Sequence, residues 1–270
     1  MSDPVRLAVL GDPLEFTRSP ELHRAGLAAI GLDCESRALR TAPGDLDRRL
    51  RELAGEGLRG VNLTHPLKEL ACERVTRLSI DARRARSVNT VGFSDEGSWG
   101  DTTDGSGFLD LLYSLSREPG DQRAVVLGAG GAARSVALAL TDAGAPPPVL
   151  SSRHPEVALE RLNDVPATAV AWRSREEREA LARATLVVNA TPLTAPEEIA
   201  LPSWMAAGTL VVDLVYGATL TLWVEHARRA KLEAFDGLGL LVFQARRSLA
   251  LWTGREVPAD VLMRVVGWPR

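Results

Sequence analysis

The chain has 270 residues, which is enough for two domains on the usual scale of about 100–200 residues each. Its 45% hydrophobic and 25% charged residues are ordinary for a globular protein. The formal net charge of −3 lacks the basic excess that nucleic-acid and membrane-surface binding usually need, so we expect neither kind of partner.

The cysteines and the hydropathy of the chain indicate a reducing compartment. Cys34 and Cys72 lie far apart and match no metal-binding or redox spacing, so we expect two reduced thiols and no metal site. The N-terminal segment does not match a signal peptide, and no apolar run approaches the roughly 18–20 residues of a membrane span. We therefore expect a cytoplasmic protein, whose oligomeric state stays open, with a homodimer as one option.

Short apolar, β-branched runs alternate with helical patterns in the first part of the chain. The pattern predicts strands at RLAVLG, which ends at Gly11, at ESRALRT and at LRGVNLT. It predicts helices at PELHRAGLAAIGL and GDLDRRLRELAGEG. The segments NTVGFS and SWGDTT then predict a β-hairpin around DEG.

The second part of the chain continues this alternation. A helix is expected at GSGFLDLLYSLSR, and AVVLGAGGAARSVALALTDAG reads as a buried strand, a glycine-rich turn and a helix. Further strands are predicted at PVLSSR, ATLVVNAT and GTLVVDLVY, and an amphipathic helical tail begins at DGLGLLVFQARRSLALWTG. The alternation predicts an α/β protein with mainly parallel sheets and two domains. We place the domains at 1–104 plus 237–270 and at 105–236, with the C-terminal helices packing back on the first.

The segment VVLGAGGAARSV carries the most specific motif of the chain. Gly128, Gly130 and Ala133 fit G-x-G-x-x-G/A directly after a strand and at the start of a helix. The first glycine permits a tight turn, the second lets a pyrophosphate approach the backbone, and the small third residue allows close helix–strand packing. The helix N-terminus then offers free N–H groups to an anion. The motif predicts dinucleotide binding, and the alternative is a tight turn of purely structural use.

The segment SSRHP lies at the end of the next strand, where the type of residue present indicates whether a dinucleotide-binding domain binds NAD or NADP. An acidic residue there would bind the ribose 2′-hydroxyl, whereas an arginine accommodates a 2′-phosphate. The chain has Arg153 at this place and no carboxylate before Glu156. Arg153 therefore favours NADP, and the alternative is a solvated surface arginine.

Two further strand ends suggest an acid–base pair. Lys68 follows the strand in GVNLTHPLKEL, and Asp104 follows the one in GDTTDGSG. The two side chains could exchange a proton with a substrate oxygen, because burial and neighbouring charges tune the proton affinity of a lysine. The alternatives are a solvated lysine and an aspartate that caps a helix.

Other polar residues stand at strand ends or before a helix. Asn89 could bind a polyol or cap a turn, and Tyr216 follows an apolar strand at the end where open α/β sheets bind ligands. Thr17 and Ser19 lie two apart in EFTRSPELH, so an extended backbone would point both hydroxyls at one ligand. We also expect Ser19 to be the N-cap residue of the following helix, with Pro20 at its first position.

Eight segments in the same order resemble the shikimate dehydrogenase family, and they cover almost the whole chain. They are GDPLEFTRSP, NLTHPLK, VNT, TTDG, GAGGA, NATPL, DLVY and GLGLLVFQA. The resemblance implies an N-terminal substrate-binding domain, a Rossmann-type NADP-binding domain, and NADPH-dependent reduction of 3-dehydroshikimate to shikimate in aromatic amino-acid biosynthesis.

The resemblance also implies a role for individual residues. Lys68 and Asp104 would be the catalytic pair. Thr17 and Ser19 would bind the substrate carboxylate, and the other substrate-binding residues would be Thr64, Asn89, Tyr216 and Gln244. The cofactor would contact Gly128, Ala129, Gly130, Gly131 and Ala132 through its pyrophosphate, Ser152, Arg153 and His154 through its 2′-phosphate, and Leu214 and Gly237 near its nicotinamide.

The chain departs from the family pattern at several of these positions. Thr17 stands where serine is usual, Phe16 replaces a histidine, and Thr102 replaces an asparagine. The usual Asn-Arg-Thr of the 2′-phosphate loop is Ser152-Arg153-His154, and the usual methionine of the C-terminal motif is Leu240. The methyl group of Thr17 could reshape the carboxylate pocket. A quinate/shikimate dehydrogenase of broader specificity and a non-catalytic NADP-binding sensor therefore stay as alternatives.

Overall fold

The computed structural model of the protein describes residues 3–160 and 166–270. The chain forms two compact units. The first unit comprises Met1–Gly107 and Leu241–Trp268, and the second unit comprises Phe108–Leu240 and Pro269–Arg270.

The first unit is built on a six-stranded mixed sheet. Its strands are β1 (Val5–Gly11), β2 (Cys34–Arg40), β3 (Gly60–Leu63), β4 (Arg77–Leu78), β5 (Thr90–Ser94) and β6 (Gly97–Asp101). Their order is β2-β1-β3-β5-β6-β4. The β2–β1, β1–β3 and β4–β6 pairs are parallel, and β5 pairs antiparallel with both β3 and β6, so the predicted hairpin is confirmed.

Helices follow the strands of this unit, and the hydrophobic pattern predicts the longer ones among them. They are α1 (Ser19–Ala29), α2 (Leu46–Gly55), the short α3 (Leu67–Leu70), α4 (Ile80–Ala85) and α5 (Asp104–Ser114), and near the end of the chain α10 (Leu238–Thr253) and α11 (Ala259–Val266). The first range of this unit ends within α5, and its second range begins within α10.

The C-terminal helix α10 packs on the sheet of the first unit, as predicted. The Trp252 side chain occupies the space above Gly60, where an added Cβ would lie 2.2 Å from the indole Nε1. That Nε1 donates a hydrogen bond to the Val91 carbonyl at 3.0 Å. Glycine at position 60 is therefore required by the close approach of a large aromatic side chain, which is 2% exposed.

The second unit contains a fully parallel sheet. Its strands are β7 (Ala124–Leu127), β8 (Val149–Ser152), β9 (Thr168–Ala171), β10 (Leu186–Asn189), β11 (Leu210–Asp213) and β12 (Glu233–Phe235), in the order β12-β11-β10-β7-β8-β9. Its helices between these strands are α6 (Gly131–Asp142), α7 (Pro155–Glu160), α8 (Arg175–Leu181) and α9 (Leu222–Arg229). All residues of β7, β10 and β11 are buried, as is typical of parallel strands covered on both faces.

The strand order creates a topological switch point at β7. The chain runs from β7 to β8 and β9 on one side, and then returns to β10, β11 and β12 on the other. In open α/β sheets, ligands bind at the carboxyl ends of the strands beside such a point. Gly128 follows β7 and Ala190 follows β10 at this place, and a Cβ on Gly128 would lie 3.1 Å from the Ala190 carbonyl oxygen.

Taken over residues 3–160 and 166–270, the helices include none whose length and apolar character suit a membrane crossing. The predicted α/β class, with two mainly parallel sheets, is confirmed.

Candidate active site

Lys68 and Asp104 form an ion pair in the first unit. Lys68 lies on α3, just after β3, and Asp104 is the first residue of α5, just after β6. The Lys68 Nζ donates to Asp104 Oδ2 at 2.7 Å. The Asp104 side chain is only 1% exposed, whereas that of Lys68 is 21% exposed. The ammonium therefore reaches the surface while its partner carboxylate is withdrawn from water.

Asn89 holds the other oxygen of this carboxylate. Its amide nitrogen Nδ2 lies 2.9 Å from Asp104 Oδ1, 3.0 Å from the Thr103 hydroxyl and 3.2 Å from Gln244 Oε1. Its amide oxygen accepts from the Thr103 backbone N–H and from the Thr90 hydroxyl, both at 2.9 Å. Asn89 is buried, so these contacts fix its orientation and, through it, the orientation of the Asp104 carboxylate.

Ser248 extends this network into α10. Its hydroxyl lies 2.7 Å from that of Thr90 and 3.3 Å from that of Thr103, and it accepts from the Asn62 amide at 3.1 Å. It also donates to the Gln244 carbonyl at 3.0 Å, one helical turn earlier. Ser248 is 0% exposed. One hydroxyl thus joins β3, β5, the start of α5 and α10.

The network ends at a buried histidine on α1. The His23 Nε2 lies 2.9 Å from Asn62 Oδ1, and its Nδ1 lies 2.8 Å from the Ser36 hydroxyl. Because the Asn62 amide nitrogen donates elsewhere, we assign the proton to His23 Nε2, which donates to the amide oxygen. The pKa of His23 is lowered to about 4, mainly by burial; the hydrogen bond with Asn62 opposes this shift and the charge of the nearby Arg24 adds to it. His23 is therefore neutral near pH 7.

The six residues His23, Asn62, Asn89, Thr103, Asp104 and Ser248 are called the polar core below. Sequence reasoning missed His23, Asn62, Thr103 and Ser248. For Asn62 a signal existed, since it is the polar residue of the strand GVNL, whereas His23 lies between Leu22 and Arg24 and gives no such signal. Ser248 follows two arginines on α10 and gives no such signal.

The helix start at Ser19 differs from the prediction. Helix α1 begins at Ser19 itself, the N-cap residue is Arg18, and Pro20 stands at the second helical position. The Thr17 hydroxyl accepts from the Ser19 backbone N–H at 3.3 Å, so threonine performs the capping that we expected of serine. The Thr17 hydroxyl also donates to the Ser19 hydroxyl at 3.3 Å, so the two hydroxyl groups lie next to each other.

Thr64 lies directly after β3 and explains why position 11 is glycine. A Cβ on Gly11 would lie 2.3 Å from the Thr64 methyl group. The Thr64 backbone N–H donates to the Leu10 carbonyl at 2.9 Å. The ends of β1 and β3 are thus pressed together, with the Thr64 side chain filling the space that glycine leaves.

The glycine-rich loop, residues 128–132, has the geometry of an anion-binding turn. Gly128 has φ +113°, a conformation that side chains disfavour. Gly130 precedes α6, and none of the described side chains caps this helix. A Cβ on Gly130 would meet no heavy atom of the described residues within 4 Å, so no close contact with any of them explains this glycine. A ligand that must approach the backbone does explain it, and the uncapped N–H groups of α6 suit a phosphate.

Two buried residues support this loop. Ala133 is 0% exposed and lets α6 pack closely on the sheet, as the motif predicts. Arg134 is 1% exposed, and its Nη1 donates to the Ala129 carbonyl at 2.9 Å, which turns that carbonyl toward the protein.

In the arginine loop, residues 152–154, Arg153 and His154 are exposed and Ser152 is partly buried. The Ser152 hydroxyl accepts from the His154 backbone N–H at 3.2 Å, and His154 lies 3.6 Å from Glu156. Within the part of the chain that the structure describes, Arg153 has no hydrogen-bond or ion-pair partner. Its guanidinium is therefore available to an anionic ligand.

The loop after β11 carries Leu214 and Tyr216. Asp213, at the end of the strand, accepts from the Val215 backbone N–H, the Asn189 amide and the Thr221 hydroxyl. Burial raises the pKa of Asp213 to about 6, and the three hydrogen bonds oppose the shift. The Gly237 N–H donates to the Val215 carbonyl at 2.9 Å, and a Cβ on Gly237 would lie 2.3 Å from the Leu214 carbonyl oxygen.

The predicted site residues therefore form separate groups. Lys68, Asp104, Asn89 and Gln244 are joined by hydrogen bonds in the first unit, where Thr17 pairs with Ser19. In the second unit, Leu214 contacts Gly237, and the glycine-rich and arginine loops follow the neighbouring strands β7 and β8.

Comparison with known proteins identifies the family. The profile of the shikimate dehydrogenase substrate binding domain matches residues 9–91, and that of the shikimate 5′-dehydrogenase C-terminal domain matches residues 237–266. The shikimate dehydrogenase (NADP(+)) of Acidiphilium cryptum is 41% identical, covering 98% of this chain and 97% of its own. That of Moorella thermoacetica is 39% identical, covering 96% and 92%.

A solved structure agrees with these sequence relatives. The shikimate 5-dehydrogenase of Thermus thermophilus, determined in complex with NADP(H) and shikimate, is 33% identical, with a TM-score of 0.86 over 97% of this chain and 98% of its own. The resemblance drawn from the eight motifs is thereby confirmed, and the chain belongs to the shikimate dehydrogenase family.

Proposed function

We propose that this chain catalyses the reversible reduction of 3-dehydroshikimate to shikimate with NADPH. The observation that carries the proposal is the Lys68–Asp104 pair, with a part-exposed ammonium 2.7 Å from a buried carboxylate that Asn89 holds in place. The relatives named above are shikimate dehydrogenases that use NADP(+).

The choice of lysine at position 68 supports an acid–base role. The chain has 32 basic residues, and only Lys68 and Lys231 are lysines. Arginine therefore supplies nearly all of the positive charge of the chain. An arginine cannot release its proton near neutral pH, whereas a lysine can. A lysine beside the buried Asp104 suits a group that must give up a proton and take it back, whereas the equally buried Asp236 is paired with an arginine, Arg270.

In the proposed reaction, NADPH when bound supplies a hydride to the ketone carbon. The Lys68 ammonium donates a proton to the carbonyl oxygen as that oxygen gains negative charge, so the product hydroxyl forms and Lys68 becomes neutral. Asp104 holds Nζ in position through the hydrogen bond at 2.7 Å. The part exposure of Lys68 lets it recover a proton from water. In the reverse direction the neutral Lys68 accepts the hydroxyl proton.

The remaining site residues would bind and orient the substrate. The Thr17 and Ser19 hydroxyls lie 3.3 Å apart at the start of α1, where two neutral donors and a helix N-terminus suit the substrate carboxylate. For the ring hydroxyls we propose Thr64, Asn89, Tyr216 and Gln244. The fixed position of Gln244 beside Asn89 supports this role.

The second unit has the features that NADP requires. We propose that residues 128–132 bind the pyrophosphate, supported by the uncapped start of α6 and the open space at Gly130. Ser152, Arg153 and His154 would bind the 2′-phosphate, since Arg153 is exposed and has no partner among the described residues. Leu214 and Gly237 would line the nicotinamide end.

The same assignment gives each domain a role. We propose substrate binding for residues 1–104 plus 237–270 and NADP binding for 105–236, supported by the substrate-domain match at 9–91 and the glycine-rich loop at 128–132. A cytoplasmic setting is proposed on the two cysteines, both of which are free.

The test is a steady-state assay of the purified chain with shikimate and with quinate, each with NADP⁺ and with NAD⁺. We expect turnover of shikimate with NADP⁺ and a much lower kcat/KM for the other three pairs. Comparable turnover of quinate would support the broader dehydrogenase, for which the Thr17 methyl group gives a reason. NADP⁺ binding without turnover of either acid would establish the sensor and refute the proposal.

A further inference from the structure

We infer that Arg270 is a positioning residue for the loop of residues 214–219, which presents Leu214 and Tyr216 to the substrate and the nicotinamide. The functional half of this inference rests on the function proposed above. The structural half rests on the contacts of one guanidinium group within the second unit.

Arg270 binds three consecutive carbonyl groups of the loop. Its Nη1 donates to the Ala218 carbonyl at 3.0 Å, and its Nη2 donates to those of Gly217 at 3.0 Å and Thr219 at 2.9 Å. Such a set of acceptors matches the fixed fork of an arginine and cannot be reproduced by a lysine, which has a single nitrogen. The three carbonyls begin at the residue after Tyr216.

The guanidinium is itself held on its other side. Its Nε donates to Asp236 Oδ2 at 2.9 Å, and Nη2 contacts the same oxygen. Asp236 is 1% exposed, and its other oxygen accepts from the Leu238 backbone N–H at the start of α10. The Arg228 side chain donates to the Arg270 backbone oxygen and, through Nε, to the Ala234 carbonyl at 2.9 Å.

These contacts complete the attachment of the loop. Its start is fixed by Asp213, which accepts from the Val215 N–H, and by the Gly237 N–H, which donates to the Val215 carbonyl. Its last part is fixed by Arg270. Tyr216 lies between the two attachments, so the loss of Arg270 would release the backbone on one side of it. Small displacements of positioning groups are costly in rate, because reacting atoms must be aligned closely.

The experiment compares Arg270→Ala and Arg270→Lys with the wild type. For Arg270→Ala we expect kcat/KM for shikimate with NADP⁺ to fall roughly 10- to 100-fold. We expect the dissociation constant of adenosine 2′,5′-bisphosphate, which lacks the nicotinamide, to stay at the wild-type value. Hydrogen exchange of the amides in 214–219 should accelerate, while that of β7 and β10 should not. Arg264→Ala, which removes an exposed arginine paired with Asp260 on α11, is the matched control and should behave as wild type.

Arg270→Lys separates positioning from general support of the fold. It keeps a positive charge for Asp236, so we expect a wild-type melting temperature together with most of the loss in kcat/KM. It also decides the question if Arg270→Ala, which leaves a buried carboxylate unpaired, does not fold. Full recovery of kcat/KM in Arg270→Lys, or unchanged exchange at 214–219 in either variant, would overturn the inference. A wild-type protein that does not turn over shikimate refutes the proposed function instead, and the exchange data then still test the attachment of the loop.

Discussion

The polar core of the first unit and the glycine-rich and arginine loops of the second differ in whether their polar groups have partners within the protein. In the polar core, buried Asn89, Asp104 and Ser248 find hydrogen-bond partners within the protein. In the glycine-rich and arginine loops, Gly130 faces open space, α6 begins without a side-chain cap among the described residues, and Arg153 is exposed.

The difference teaches which groups the protein itself must hold in place. A proton donor has to be aligned before the reaction, because its reorganisation would add to the barrier. Its supports are therefore internal and buried. A loop that binds a charged ligand leaves its donors free for that ligand. At 128–132 and 152–154, the lack of hydrogen-bond partners within the protein therefore points to a charged ligand. At Asp104, the complete set of hydrogen-bond partners points to a group that the protein itself aligns.

The largest effect is expected from removal of the group that the polar core aligns. Lys68→Ala should lower kcat by roughly 10²–10⁴, since that is the usual contribution of a positioned acid or base. The KM for NADP⁺ should change little. Lys68→Arg keeps a cation beside Asp104 but cannot exchange its proton, so kcat should fall by a similar factor. Steady-state kinetics measure both variants.

Lys231→Ala is the matched control, because Lys231 is the other lysine and is exposed. Wild-type kcat in Lys68→Arg would show that position 68 needs only a charge. The contrast between an aligned acid and a passive binding loop would then fail.

The second prediction concerns the far end of the polar core. The pKa of His23 is lowered from 6.5 to about 4 in the folded protein, so the unfolded chain takes up a proton first as the pH falls. The stability that neutral His23 confers is complete above pH 6.5 and is lost between pH 6.5 and about 4. The full loss is about 3 kcal/mol at 1.36 kcal/mol per pKa unit, of which about 2 kcal/mol should appear between pH 7 and pH 5.

Hydrogen exchange of the β1 and β3 amides in the first unit measures this loss. His23→Gln should be less stable than wild type at pH 7 and should lack the His23 share of the pH dependence. His226→Gln, which alters an exposed histidine on α9, should keep it. Identical pH dependence in wild type and His23→Gln would mean that the histidine is not held neutral by the core.

The third prediction tests the open side of the comparison. Arg153→Ala should raise the KM for NADP⁺ roughly 10- to 100-fold, because a hydrogen bond to a charged group contributes about 1.5–3 kcal/mol. The KM for NAD⁺, which lacks the 2′-phosphate, should rise far less. Arg175→Ala, at an exposed arginine paired with Glu179, is the control. Equal effects on both cofactors would remove the 2′-phosphate assignment.

The sequence predicted the fold more fully than it predicted the supports of the site. Apolar runs and glycine turns sufficed for β1, β7, β10 and β11 and for helices α1 and α6, because a buried parallel strand is a run of consecutive apolar residues. The elements that the sequence did not predict are the short β4, the edge strands β9 and β12, and helices α3, α4, α7, α8 and α9.

The polar core could not be predicted because its members are far apart in sequence. The Ser248 hydroxyl meets Thr90 across 158 positions and Asn62 across 186. Whether Ser248 faces the sheet depends on how α10 is rotated, and local periodicity does not define that rotation closely enough. Arg270 is similar, since it meets Gly217 across 53 positions. The glycine-rich and arginine loops were predictable because each lies within one short segment.

The smallest effect is expected at Gly130, where the two sides of the comparison separate most cleanly. Its φ of −77° and ψ of −177° are open to any residue, and an added Cβ would meet no described heavy atom within 4 Å. Gly130→Ala should therefore leave the free energy of unfolding within about 0.5 kcal/mol of wild type. Its dissociation constant for NADP⁺ should nevertheless rise roughly tenfold, a loss of about 1.4 kcal/mol, because the methyl group occupies the place of the pyrophosphate.

Calorimetric titration measures the dissociation constant, and urea unfolding measures the free energy of unfolding. Gly44→Ala, whose added Cβ also meets no described heavy atom within 4 Å, is the control that should alter neither quantity. If Gly130→Ala bound NADP⁺ as wild type does, the empty space at this glycine would not belong to the ligand, and the unsatisfied groups of the loop would need another explanation.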